Sequence, residues 1–293
     1  MKTITIPAFA KLNLTLDILG LRPDGYHDLD MLMLAVSLCD DVTVTQGTGK
    51  AWKLTCEDPQ GNALPGIPCD ERNLAWRSAQ SFFKTTSLQD EGLDIRIVKR
   101  IPDQAGLAGG SADAAAVLRG LNELCGTPLS TEHLCELSAQ TGSDVPFCVL
   151  GGTARVKGRG EVLFPAPLAT VQHYVICKPD FGISTPRLFA LSDLHPAQYH
   201  PDAEALLQCL RADDSCHAGP LLCNVLEPVA VLEHPEIAKI RQDLLDAGAC
   251  GARMTGSGSA VFGLFPDETA AKRAFDLLKQ KDFSVFYAHS VLF

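Results

Sequence analysis

Apolar and polar positions alternate from the start of the chain. In "KTITIPAFAKLNLTLDI" the residues Ile4, Ile6, Ala8, Ala10, Leu12, Leu14 and Leu16 stand two apart, the period of a strand with one buried face. "DDVTVTQ" and "AWKLTCE" alternate in the same way, and the glycines of the intervening "GTGK" predict a hairpin. "GLDIRIVKRIP" predicts another strand, ending at Pro102. Elsewhere the period lengthens. "RNLAWRSAQSFFKTT" places Leu74, Ala75, Ala79, Phe82 and Phe83 at helical spacing. From Ser111 to Cys125, Ala114, Ala115, Val117, Leu118, Leu121 and Leu124 share one helical face, and Gly126 follows as a stop. A second helix is expected in "TEHLCELSAQTG", and "DVPFCVLGGTARVKGRGE" reads as a short helical turn leading into a strand pair.

The "PAPLAT" segment marks a boundary, giving domains at 1–163 and 164–293. Beyond it "HYVICKP" is a strand, and helices are expected at 202–211, 235–247 and 267–280. "GARMTGSGSAVFGLF" and "SVFYAHSVLF" are strands of an α+β second domain. No internal repeat or low-complexity tract interrupts the pattern.

Composition narrows the classes. With 293 residues, 46% hydrophobic and 20% charged, the chain has the material for two cores. A formal net charge of −10 argues against a general grip on nucleic-acid phosphates, although a local positive pocket is compatible with it. The N-terminal segment carries Lys11 and lacks the apolar core of a signal peptide, and no stretch reaches the roughly 18 apolar residues of a membrane span. A cytoplasmic protein with no membrane partner is expected. The eleven cysteines are odd in number and contain no CxxC, and the even spacing of Cys209, Cys216 and Cys223 is not that of metal ligands. They read as mostly buried, reduced thiols, with no metal site assigned.

The chemistry concentrates in "IPDQAGLAGGSADAAAVLRGLN", where Gly106, Gly109 and Gly110 precede the helix and no Gly-Lys-Ser/Thr follows. Glycines let a backbone turn through positive φ and approach a ligand closely. Ahead of a helix, the exposed N–H groups and the dipole form an anion site. A strand-to-helix turn needing glycine for geometry alone is the other reading. A second small polar turn, Gly256-Ser257-Gly258, stands between apolar runs and tips the balance toward phosphate.

"PDQAGLAGGSADAAA" resembles the phosphate loop of the GHMP kinases, which use glycine and serine in place of a lysine P-loop. "PAFAKLNLTLDILGLRPDGYHDLDMLM" resembles their N-terminal motif and "MTGSGSAVFGLF" their C-terminal one. The resemblance spans nearly the whole chain, with the motifs in family order. It implies an α+β protein with an N-terminal α/β domain of the ribosomal-protein-S5 type, which binds ATP, and a ferredoxin-like C-terminal domain. By the same resemblance the ATP loop comprises Pro102, Asp103, Gln104, Ala105, Gly106, Leu107, Ala108, Gly109, Gly110, Ser111 and Ala112. The family loop often carries glycine where this chain has Ala108, a change expected to be harmless if Ala108 sits at negative φ. It often carries serine where this chain has Ala112, which leaves Ser111 as the loop's serine.

Phosphoryl transfer depends on positioning and charge neutralisation. A carboxylate that takes the acceptor's proton and a cation beside the developing alkoxide both help. Asp144 in "TGSDVPF" reads locally as a helix N-cap before Pro146, and Lys11 as a surface lysine on a strand. The resemblance makes them the catalytic aspartate and lysine. Asn13 shares Lys11's face of the strand and is placed to bond the acceptor. Asn73 and Lys99 match family positions near the base and ribose of ATP, whereas locally they read as a helix cap and a solvated strand residue. Mg²⁺ is expected to travel with ATP, bridging its phosphate oxygens.

"RPDGYH" is similar to the family members whose acceptor is a cytidine diphosphate. Locally it is an ordinary loop. By resemblance Tyr26 stacks on cytosine, His27 bonds its edge, Phe189 covers the opposite face and Thr185 stands nearby. Stacking tolerates any base, so the choice of cytosine falls to His27. Another GHMP kinase, acting on mevalonate, homoserine or a sugar, is the nearest alternative, but those acceptors carry no base to stack. A non-enzymatic nucleotide-binding module is a further one, against which the joint presence of Lys11 and Asp144 counts. A Rossmann dehydrogenase is disfavoured by the glycine spacing.

Overall fold

The computed structural model describes every residue of the chain except Thr48, Lys50 and Phe293. In chain order the elements are β1 (Lys2–Leu21), β2 (His27–Gln46), β3 (Lys53–Glu57), α1 (Leu74–Thr86), β4 (Leu93–Val98), α2 (Gly109–Leu124), α3 (Thr131–Ser138), α4 (Val145–Leu150), β5 (Thr153–Gly158) and β6 (Val162–Pro165). There follow β7 (His173–Lys178), α5 (Thr185–Leu194), α6 (Ala203–Arg211), α7 (Ser215–Ala218), β8 (Cys223–Asn224), α8 (Glu227–Glu233), α9 (Glu236–Asp246), β9 (Gly251–Met254), β10 (Val261–Phe265), α10 (Glu268–Leu278) and β11 (Ser284–His289). Two compact units result. One comprises residues 1–10, 39–101 and 108–151, the other 11–38, 102–107 and 152–293.

In the first unit, β2 runs antiparallel to β4 from Asp41↔Val98 to Gln46↔Leu93, and β3 runs parallel to β4 from Lys53↔Asp94 to Glu57↔Val98. Paired threonine hydroxyls, Thr3 with Thr45 and Thr5 with Thr43, tie the start of β1 to the end of β2. The expected hairpin therefore does not form. β4 stands between its two arms, and Thr48 and Lys50 of the expected turn lie outside the described residues. Local alternation identified both strands, but the strand they pair with lies some forty residues later, and alternation does not say which strands pair. Helices α1 to α4 pack on one another. Asn73 caps α1, Oδ1 accepting from Ala75 N at 2.9 Å, and Ala79, Phe82 and Phe83 form its buried stripe.

The second unit contains two sheets. The first half of β2 pairs antiparallel with β5 from Leu29↔Gly158 to Leu34↔Thr153, β5 turns back into β6, and β1 meets β8 at Thr15↔Cys223. The other sheet is antiparallel in the order β11-β7-β10-β9, with α9 and α10 against it. Stripped of the helices inserted after β7, this is the β-α-β-β-α-β ferredoxin-like arrangement that the resemblance implies. Its core is Tyr174, Ile176, Phe262, Leu264 and Phe265. Helices α5 and α8, and the first half of β2, are absent from the periodicity reading. The run from Met31 to Val36 is buried on both faces, so it alternates with nothing.

Candidate active site

Alternation along β1 sends Lys11 and Asn13 to one face, and that face is interior: Lys11 is 3% exposed and Asn13 1%. The Lys11 ammonium donates to Asn13 Oδ1 at 2.5 Å and to the Gly106 carbonyl at 2.7 Å. Lys11 N donates to Leu107 O at 3.1 Å, so backbone and side chain both fasten the strand to the glycine loop. Asn13 N donates to Thr255 Oγ1 at 3.0 Å. A buried ammonium bonded in this way is no surface lysine.

Two tight loops close on this lysine, and glycine is required at both. Gly106 has φ +72°, and a Cβ there would lie 2.1 Å from Thr255 O. Gly256 has φ +56°, and a Cβ there would lie 3.0 Å from both Gly106 O and Lys11 Nζ. Asn224, at the end of β8, donates its amide to Met254 O and Gly256 O, each at 2.8 Å, which holds the second loop. Ser259 N and Ala260 N donate to Gln104 O and Ala105 O at 3.3 and 3.2 Å. Thr255 and Asn224 are positioning residues that sequence reasoning missed. Asn224 lies alone in an apolar stretch, and only β8 pairing with β1 brings it here.

In the first unit the chain enters α2 through Ala108, at φ +59° and ψ 33°. The condition under which alanine would be harmless at this position is therefore not met. The chain must reverse sharply to aim the first turn of α2, and Ala108 accepts left-handed strain that glycine would avoid. Gly109 answers to packing, since a Cβ there would lie 3.1 Å from Ile101 Cγ2 and 3.4 Å from Lys99 Nζ. An added Cβ on Gly110 would meet only Leu74 Cδ1, at 4.0 Å. Ala112 is buried within the helix, and Ser111 is half-buried. The first N–H groups of α2 have no acceptor inside the helix, as at any helix start.

Lys99 is not the solvated residue its strand position suggests. Its ammonium sits between two buried carboxylates, Asp40 Oδ2 at 2.5 Å and Asp113 Oδ2 at 2.6 Å. Burial alone would lower its pKa, but Asp113 and Asp40 outweigh burial and raise it. Burial pushes Asp113 up to about 7, with the Lys99 charge opposing. Asp113 Oδ1 is buried with no hydrogen-bond partner among the described residues. Asn73 is the helix cap it resembled locally, and its Nδ2 also donates to Pro68 O at 2.8 Å. Asp144 occupies the N-cap position of α4, yet its side chain makes no capping hydrogen bond, and the residue is half-buried. The local explanation for an aspartate there is therefore absent.

The predicted acceptor residues gather in the second unit. Tyr26 is 53% exposed, and the Arg159 guanidinium lies 4.8 Å from its ring centroid. His27 and Phe189 lie ring against ring, with centroids 4.9 Å apart. His27 Nε2 also meets Asp193 Oδ1 at 2.7 Å. Thr185 and Ser257 share a hydroxyl hydrogen bond of 2.6 Å, linking α5 to the second glycine loop. None of the eleven cysteines forms a disulfide, but only Cys56, Cys177 and Cys223 are buried, while Cys69 and Cys216 are exposed. "Mostly buried" is thus corrected. The other six are half-buried, and a cysteine does not itself reveal which face of its element it occupies.

Two tight glycine loops thus close around a buried lysine. Residues 73–152 match the family described as GHMP kinases N terminal domain, and residues 203–283 match GHMP kinases C terminal. The chain belongs to the GHMP kinases, and its fold is their two-domain α+β fold. Within that family it is 41% identical to a 4-diphosphocytidyl-2-C-methyl-D-erythritol kinase of Lachnoclostridium phytofermentans, over 94% of this chain and 92% of the relative. It is 39% identical to the enzyme of that name from Syntrophomonas wolfei, over 99% of both chains. A crystal structure of 4-(cytidine 5'-diphospho)-2C-methyl-D-erythritol kinase superposes with a TM-score of 0.81 at 32% identity, covering 98% of this chain and 99% of that one. A homoserine kinase from Cytophaga hutchinsonii shares the fold, with a TM-score of 0.78 at 19% identity over 100% of this chain and 96% of that one.

Proposed function

We infer that the chain transfers the γ-phosphoryl group of ATP to the 2-hydroxyl of 4-diphosphocytidyl-2-C-methyl-D-erythritol, in the cytoplasm, as a step of the non-mevalonate isoprenoid pathway. The observation that carries this reading is the buried Lys11 ammonium, bonded to Asn13 and to the Gly106 carbonyl where the two glycine loops meet. In the reaction the acceptor oxygen attacks the γ-phosphorus, the bond to ADP breaks, and the hydroxyl proton leaves. Asp144 takes that proton, Lys11 favours the developing negative oxygen, and Asn13 orients the hydroxyl. The segment from Pro102 to Ala112 holds the phosphates of ATP through backbone N–H groups and the start of α2. Asn73 and Lys99 border the nucleotide, while Tyr26, His27, Thr185 and Phe189 receive the cytidine end.

Among the described residues, no group of three or more His, Cys, Asp or Glu is arranged to hold a metal ion. Mg²⁺ would arrive with ATP and supply charge neutralisation at its phosphates. No helix among the described residues is long and apolar enough to cross a membrane. We divide the chain into an ATP-binding domain at 1–163 and a C-terminal domain at 164–293, a division supported by one family model falling on each side. The test is incubation with ATP and a panel of acceptors, with products weighed by mass spectrometry. The cytidine compound should gain one phosphoryl group. Phosphorylation of mevalonate or homoserine, with none of the cytidine compound, would overturn the assignment.

A further inference from the structure

The acceptor end of the second unit contains a pair that phosphoryl transfer itself does not use. His27 Nε2 lies 2.7 Å from Asp193 Oδ1, and the two side chains are 10% and 46% exposed. A carboxylate can only accept, so the histidine nitrogen facing it carries a proton. Asp193 stands four residues after Phe189 on α5, on the same helical face. Phe189 lies against the His27 ring at 4.9 Å and 31°. One helix thus supplies both the plane against which the imidazole rests and the group that orients its proton.

We propose that Asp193 is a positioning residue for base recognition, fixing the His27 proton on Nε2 so that Nδ1 is left as the ring's acceptor. This rests on the cytidine diphosphate acceptor argued above. Cytosine presents an exocyclic amine where uracil presents a carbonyl. An acceptor nitrogen pairs with the amine, whereas against the carbonyl two lone pairs face each other and both stay unsatisfied. Exchanging the tautomer would reverse that preference, because Nδ1–H would then donate to the carbonyl. The choice between two bases of the same size and stacking strength is in this way delegated to a carboxylate that need not touch the base.

The test joins ¹⁵N NMR of the histidine-labelled full chain to kinetics with the cytidine substrate and its uridine analogue. The native protein should show His27 as the Nε2–H tautomer and prefer the cytidine compound. Asp193→Ala should lose that tautomer signature, raise KM for the cytidine substrate about 10-fold and narrow the cytidine-to-uridine preference to a similar degree, the scale on which orienting partners of histidine act. Asp193→Glu, which restores a carboxylate, should recover much of both. If Asp193→Ala retains the native tautomer and the native preference, Asp193 has no such role and the cytidine reading still stands. If the native protein turns over both compounds equally, the cytidine reading falls, and the proposal falls with it.

Discussion

Replacing Lys11 with methionine separates the catalytic role of its charge from its role as a tie between strand and loops. Methionine keeps most of the side chain's length and apolar contact while removing the ammonium. Two costs follow for stability. Asn13 Oδ1 loses its donor at 2.5 Å, while the Gly106 carbonyl loses the ammonium at 2.7 Å and keeps the Thr255 hydroxyl at 3.4 Å; a buried acceptor left unpaired costs about 1–3 kcal/mol. Against this, the variant no longer desolvates an ammonium that is 3% exposed, a cost of several kcal/mol in an apolar interior. The terms largely offset, so the net change should stay within about 2 kcal/mol. At roughly 2–4 °C per kcal/mol for a chain of this size, Tm should move by no more than about 4–8 °C. Loss of a preorganised charge beside the developing alkoxide costs about 2.7–4 kcal/mol of activation energy, so kcat should fall by roughly 10²–10³. The assay is ADP release at saturating ATP and cytidine substrate, at a temperature where unfolding curves show the variant fully folded. In an Asp144→Asn background the further loss should be less than additive, since both groups act on one step. A folded Lys11→Met variant within about threefold of native kcat would reduce Lys11 to a structural tie and refute the mechanism.

Ala108→Gly should relieve left-handed strain of about 1–2 kcal/mol at φ +59°, less the added unfolded-state entropy. A net gain of about 0.5–1 kcal/mol in urea unfolding is expected, and a net loss would refute the strain. Gly110→Val should weaken ATP binding in calorimetry with little change in stability, because an added Cβ there meets only Leu74 Cδ1 at 4.0 Å. Unchanged ATP affinity would make the loop purely structural. Burial pushes the Asp113 carboxyl up to about 7. Its contribution to stability is therefore fully present below the ordinary carboxylate pKa of about 4 and is lost as pH rises through about 7. Asp113→Asn should flatten the decline in urea midpoint between about pH 5 and 8, and an unaltered slope would exclude Asp113 as its source. Denatured, unreduced protein should titrate all eleven thiols, and in native protein Cys69 and Cys216 should react with maleimide before the rest. A missing pair on denaturation would reveal a disulfide.

The sequence by itself determined the elements whose exposure alternates and the loops whose glycines have no substitute. The face carrying Lys11 and Asn13 followed from a period of two along β1. Helices α1, α9 and α10 followed from apolar stripes that each bury one side, and α2 from an apolar run that is buried nearly all round. Motif order along the chain was enough to recognise the family, because phosphate loops depend on residue types at fixed offsets. Partnership was decided only by the tertiary structure. β4 enters between β2 and β3, cancelling a hairpin that local alternation supports, because strand pairing is a contest among distant segments. Ala108 adopts positive φ because the chain on either side demands the turn, which no preference of alanine would announce. Lys99 reads as a solvated cation until Asp40 and Asp113, 59 and 14 residues away in sequence, close around it. Asn224 and Asp193 acquire their roles in the same way. Each is an ordinary polar residue in its own stretch, and each matters through what β8 and α5 bring beside it.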